Sequence, residues 1–177
     1  MVFTMAYLMI SHWAVLPRPD TDDARWASQL QDCCTSSGNN WTMVHFLYDN
    51  CACSRRVLAH VTSREPVNNV REQIVLVAET PPEHATFSGH IPVEYVTPVQ
   101  LKERFGVESA PLLVVIDDQK NVRYTGGYTS RKQGPEIKDF EIVSDLMAGD
   151  SVAELPLFGC AVSKELQKLI DPLGLKN

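Results

Sequence analysis

Residues Phe46-Leu47-Tyr48-Asp49-Asn50-Cys51-Ala52-Cys53-Ser54-Arg55-Arg56 hold the side chains best suited to chemistry. An apolar stretch runs out, the chain turns at Asp49-Asn50, and a cysteine stands where a helix begins. Unpaired amide N–H groups at a helix N-terminus stabilise a thiolate. A cysteine placed there has a lowered pKa and becomes a nucleophile. Arg55 and Arg56 would add positive potential. Cys53 lies two residues on and can join Cys51 only through a small strained ring, and strained disulfides are more readily reduced. Such a pair would be an oxidant or isomerase-like couple more than a strong reductant. The plainer reading is two buried cysteines capping a core helix. Placement at a strand exit and the doublet weigh against it.

The chain has five cysteines, so at least one cannot pair within it. Cys160, in Leu157-Phe158-Gly159-Cys160-Ala161, falls at an expected loop-to-helix junction. It is either a second helix-terminal thiol that approaches Cys51 and Cys53 as a resolving partner, or a buried structural cysteine. Cys33 and Cys34 are neighbours, and a disulfide between neighbours is strained, so two separate thiols are expected there. His45 sits within a strand and reads as a satisfied core residue. His60 follows the cysteine site on a helix, His84 and His90 lie in a Pro-rich segment, and His12 is near the start. A Cys-x-Cys pair with a nearby His also suits a soft metal such as Cu(I). No spacing for structural zinc, no P-loop and no dinucleotide fingerprint is present, and no cofactor is expected.

These residues need elements to hold them. Residues 23–34 have helical spacing, with Trp26, Leu30 and Cys33 near one face. Thr42 to Tyr48 reads as a buried strand and Ser54 to Arg64 as a helix with Val57, Leu58 and Val61 inward. Gln73 to Ala78 is a second strand and Val93 to Val96 a short one. Gln100 to Phe105 is a helix stopped by Gly106. Leu112 to Asp117 and Val122 to Thr125 form a hairpin. Asp139 to Met147 and Val162 to Ile170 are further helices. Early strand–helix–strand units argue for parallel pairing, and the late hairpin for an antiparallel edge. Continuous apolar strands require helices on both faces. The expected fold class is therefore α/β, a three-layer sandwich around a mixed sheet.

At 177 residues with 44% hydrophobic content, the chain can bury a core without disulfide staples. Its net charge of −6 and lack of a basic stripe argue against nucleic acid. Residues 1–16 are almost uninterruptedly apolar. The run is shorter than the roughly 18–20 residues of a membrane span and has no Lys or Arg ahead of it. It reads either as an anchor whose first residues are missing or as an apolar element packed on the domain. On the anchor reading, Pro17-Arg18-Pro19-Asp20 is the polar exit. The expected division is residues 1–22 as apolar segment and linker, and 23–177 as one domain.

Three features in order carry a family resemblance: the strand Val44-His45-Phe46-Leu47 leading to Cys51, the stretch Phe105-Gly106-Val107-Glu108-Ser109-Ala110-Pro111, and the hairpin Leu113 to Tyr124 followed by Gly126-Gly127. Together they resemble the thioredoxin-like superfamily, most of all its exported, membrane-anchored oxidoreductase branch, over residues 40–128. The nearest resemblance is an uncharacterised subgroup with Cys-x-Cys-Ser at this point. The resemblance implies that Pro111 is a cis-proline facing Cys51, and that the Ala110 backbone contacts a bound substrate segment. Ser54 stands at the family's resolving position, beside that segment. Cys-Ala-Cys-Ser departs from the family's Cys-x-x-Cys, so resolution falls to Cys53, to a distant cysteine or to an external thiol. The implied activity is thiol–disulfide exchange through Cys51 and Cys53, with a client and an upstream redox protein as partners, outside the cytoplasm and with membrane attachment through the N-terminus. Two alternatives stand beside it: a Cu(I)-binding module using the same cysteines, and a redox-inactive interaction domain.

Overall fold

The computed structural model describes residues 15–19, 26, 30, 40–80, 90–132 and 134–172. The central strand is β1 (Trp41–Tyr48), buried from its second residue on. Alternation along it sends Val44, Phe46 and Tyr48 to one face and Met43, His45 and Leu47 to the other. Each set joins a separate apolar cluster. A strand buried on both faces needs helices above and below it.

Helix α1 (Ala52–Ser63) follows β1 directly and leads to β2 (Val70–Val77). β2 pairs parallel with β1 over its full length, from Trp41 opposite Val70 to Tyr48 opposite Val77. β3 (Val93–Val96) adds a third parallel strand on the far side of β2. Helix α2 (Pro98–Phe105) opens with a capping box between Thr97 and Gln100. It starts two residues earlier than expected, because a proline in the first turn forfeits no hydrogen bond. Gly106 ends it at φ 60°, a conformation that glycine takes without penalty.

The two-residue strand β4 (Ser109–Ala110) precedes Pro111, and the Ala110–Pro111 bond is cis, as the resemblance implied. β5 (Leu112–Ile116) runs antiparallel to β1, and β6 (Val122–Gly126) antiparallel to β5. The sheet order is β3-β2-β1-β5-β6. Helix α3 (Asp139–Ala148) packs Ile142, Val143 and Leu146 beside Val57 and Val61 of α1. Leu101 and Phe105 of α2 lie in the opposite cluster, which α4 (Lys164–Ile170) reaches through Ile170. The three-layer α/β sandwich with a mixed sheet is therefore the fold of this chain.

One expectation meets a different outcome. Cys160 does not open a helix. It lies in a short strand, β7 (Cys160–Ala161), paired antiparallel with β4. The Val162 N–H bonds to the Glu108 carbonyl at 2.7 Å, and the helix waits for Ser163, whose hydroxyl caps the Leu166 N–H. Residues 15–19 lie on the domain: Leu16 is buried and its N–H bonds to the Leu157 carbonyl at 3.0 Å. Ser109 donates to the Pro17 carbonyl, and Arg18 pairs with Glu154. No helix among the described residues is long and apolar enough to cross a membrane. Trp26 and Leu30 are helical and buried; Cys33, Cys34, His12 and His84 lie outside the described residues.

Candidate functional site

The site forms where β1 gives way to α1. Helix α1 begins at Ala52, two residues before the expected start, so Cys51 itself is the N-cap residue, with extended backbone at φ −123° and ψ 120°. An N-cap side chain faces the first free amides of the helix. Here that side chain is a thiol, and no acidic residue sits in the first turn to oppose a negative charge. Arg55 donates to the Asp49 carbonyl at 3.0 Å, which braces the turn into the helix.

Cys51 is fully buried, at 0% exposure. Its Sγ lies 3.9 Å from the Ala110 carbonyl oxygen, so the residue before the cis-proline stands against it. Cys53 and Cys160 are partly exposed and pack on the same cluster, and all three cysteines are free thiols. Cys160 arrives from far along the chain because β7 pairs with β4, with Cys160 opposite Ala110.

This arrangement divides charge unequally. A hydrogen bond from the Cys160 thiol, then one from Cys53, holds the Cys51 pKa far below the ordinary thiol range; burial opposes them, and the Ser54 amide and hydroxyl add to them. Cys53 and Cys160 are pushed up, first because each donates to the Cys51 sulfur and second by burial. The direction of all three shifts favours negative charge on Cys51 over its two neighbours. Ser54 is buried. The arginines act elsewhere than expected: Arg56 lowers Cys53 and Arg55 lowers Cys160.

The segment that delivers Cys160 is fastened along its length. Leu157 is buried in the core. The Gly127 N–H bonds to the Leu155 carbonyl at 2.9 Å, and the Tyr124 hydroxyl accepts from the Leu155 N–H at 3.2 Å. Gly159 lies so close to the cis-proline that a Cβ there would stand 1.9 Å from the Ala110 oxygen and 2.6 Å from Pro111 Cδ. The sequence gives Gly159 no role of its own beyond a Gly-Cys just before a helix. Its position next to Cys160 was the only signal, and only the β4–β7 contact gives it meaning.

A second polar cluster was also missed. Arg64, at the end of α1, bonds Glu72 of β2 at 3.0 and 2.5 Å and Asp139 of α3 at 3.1 and 2.9 Å. His60 reaches Asp139 at 3.0 Å. His45 bridges the Tyr128 hydroxyl at 2.9 Å and Glu72 at 3.3 Å, so it is the satisfied core residue that was expected. Glu72, a buried carboxylate between Arg71 and Gln73 at the head of the apolar run in β2, was the readable hint. Burial pushes the Glu72 pKa up, but hydrogen bonds from His45 and Arg64 outweigh it and hold it at about 2. A carboxylate lowered on folding stabilises the protein above its unfolded pKa, and loses that contribution as pH falls through the folded value. Glu72 is therefore expected to supply about 3 kcal/mol at neutral pH, lost between the ordinary carboxylate range and about pH 2. Urea unfolding across that range checks this: Glu72→Gln should flatten the dependence, and an unchanged slope would contradict it.

Among the described residues no group of three or more His, Cys, Asp or Glu side chains is arranged to hold a metal ion. The strand order, the hairpin, the helix-capping cysteine and the cis-proline against it together define a thioredoxin-like α/β protein. Within that class, the chain belongs to the family DUF6436, described as a domain of unknown function, whose model matches residues 21–135. That span contains Cys51, Cys53 and Pro111 and ends before Cys160. Among solved structures, a hypothetical protein from Sinorhizobium meliloti 1021 is similar at 14% identity, covering 70% of this chain and 79% of that one, with a TM-score of 0.55. An uncharacterized conserved protein from Geobacillus kaustophilus is similar at 15% identity, covering 71% and 77%, with a TM-score of 0.50. A solution structure from Neisseria meningitidis, provisionally named a thioredoxin, is 13% identical over 77% of this chain and 88% of its own, with a TM-score of 0.46. At such identities the first two likenesses speak to the fold alone. No curated protein matches the chain.

Proposed function

We propose that this protein is a thiol–disulfide oxidoreductase that exchanges disulfides with a partner protein, with Cys51 and Cys53 as its redox site. One observation carries the reading: a buried cysteine at a helix N-terminus, with two further free thiols packed on the same cluster, against the backbone of the residue before a cis-proline. A thiolate is the attacking species in disulfide exchange, and a low pKa makes it a good leaving group when the disulfide is opened again. A core helix that only needed capping would gain nothing from three converging thiols, whereas a redox site needs a second thiol within reach of the first. The partners are protein thiols and disulfides, and the extracytoplasmic setting rests on the apolar run at residues 1–16.

The test is a glutathione titration of the full chain, with the oxidation state read by mass after acid quenching. A two-proton loss that reverses on reduction and disappears in Cys51→Ser is expected. If Cys51 keeps one oxidation state across the whole titration, the reading falls.

A further inference from the structure

The expected role of Cys51 as the sulfur that meets a partner conflicts with its burial. A nucleophile or electrophile in disulfide exchange must be approached along the S–S axis, so access decides which sulfur reacts. Cys51 has no exposed surface, whereas Cys53 and Cys160 each keep some. The cover over Cys51 is built in. Cys160 sits opposite Ala110 in the β4–β7 pairing, Gly159 is pressed onto the Ala110 carbonyl and Pro111, and Val162 is tied to Glu108. Leu157 is anchored in the core and bridged to Leu16 on the other side. This segment is fastened at both ends of the cysteine and is not poised to lift.

Resting on the disulfide-exchange reading above, with Cys160 in the place given there to Cys53, we infer that Cys160 is the cysteine that meets the partner, that its disulfide is made with Cys51, and that Cys51 is the internal leaving group. The oxidised protein carries a Cys51–Cys160 bond across the β4–β7 edge. A partner thiolate attacks the accessible Cys160 sulfur. The Cys51–Cys160 bond breaks, a Cys160–partner disulfide forms, and the electron pair leaves on Cys51 as thiolate. A second thiolate of the partner then attacks the partner's own sulfur in that mixed disulfide. This forms the partner's disulfide and releases Cys160, which takes up a proton. The partner dithiol is oxidised by two electrons and the protein disulfide is reduced by two. An upstream protein disulfide or glutathione disulfide restores the Cys51–Cys160 bond. In this scheme Cys53 donates to the departing Cys51 sulfur and leaves the covalent steps to the other two. The substrate class is a protein dithiol, and the direction is oxidation of the client.

The experiment uses the full chain, oxidised with glutathione disulfide, freed of small molecules, pulsed with reduced glutathione and quenched in acid. Peptide mass mapping then reads each cysteine. Expected are a Cys51–Cys160 disulfide before the pulse, and glutathione on Cys160 in excess of Cys51 by about tenfold or more afterwards, because access selects the attacked sulfur. Glutathione found mainly on Cys51, or Cys51–Cys53 as the disulfide formed, overturns the inference. Cys160→Ser and Cys160→Ala should both lose exchange, while Cys53→Ser should retain it. Exchange that persists in folded Cys160 variants through Cys51–Cys53 removes this inference and leaves the redox reading standing. A wild-type protein that forms no disulfide at all removes both.

Discussion

Replacing Arg64 by alanine is expected to remove about 3–5 kcal/mol of unfolding free energy, the usual cost of breaking a buried ion pair by taking away one partner. The guanidinium spans two carboxylates that come from different layers, Glu72 on β2 and Asp139 on α3. Asp139 has no exposed surface and Glu72 very little. Without the arginine, Asp139 keeps, among the described residues, the bond to His60, which is itself partly exposed, and Glu72 keeps His45 and a long contact from the Val67 N–H. Neither histidine replaces a permanently charged fork. Domains of this kind hold about 5–15 kcal/mol in all, so the loss is a large part of the total. Arg64→Lys should recover part of it, because one ammonium keeps the charge and cannot make both bidentate contacts. Urea unfolding checks this, with the slope unchanged between variants. A loss below about 1 kcal/mol would show that the pair is offset by its own desolvation and contributes little.

Removing the thiols around Cys51 is the second large effect, and it acts on the chemistry instead of the fold. Hydrogen bonds to a charged group contribute about 1.5–3 kcal/mol each, which is about 1–2 pKa units per donor. Cys160→Ala should therefore raise the Cys51 pKa by about 1–2 units, and the Cys53→Ala, Cys160→Ala double variant by about 2–4. Cys160 is the larger contributor of the two, so its variant should move the midpoint further. Cys160→Ser keeps a hydroxyl donor at the same place and should restore most of the shift. The measurement is the thiolate ultraviolet absorbance of the reduced protein followed against pH. A merely structural role for Cys160 would change stability and leave that midpoint in place, and an unmoved midpoint in both alanine variants would remove the thiol cluster as the cause of Cys51 acidity. The residual shift in the double variant belongs to the helix N-terminus, through the Ser54 amide and hydroxyl.

Much of the sandwich was legible because its signals are local. Val44-His45-Phe46-Leu47 could only be a buried strand, and Leu112 to Ile116 likewise. Thr97, Pro98, Gln100 and Gly106 spell a helix start and stop in neighbouring residues. The start of β2 lies three residues earlier than expected because tertiary pairing extends a strand past its own pattern: Val70, Arg71 and Glu72 join β2 because β1 offers them partners. Cys160 was read as a loop residue just before a helix and lies instead in the two-residue strand β7. Gly-Cys before an amphipathic run looks like a cap, while two residues of strand have no periodicity to announce them.

By itself the sequence determined a three-layer α/β domain and put a cysteine at the first helix N-terminus. Both follow from which residues are apolar and how neighbours space them, and these are properties of short range. The tertiary structure decided the rest. It brought Cys160 across 50 positions to Ala110, closed off Cys51 from solvent, and gathered Arg64, Glu72 and Asp139 into one buried cluster. Those outcomes depend on contacts between segments distant in the chain, where burial and pairing set each group's charge and access, and no local pattern encodes them.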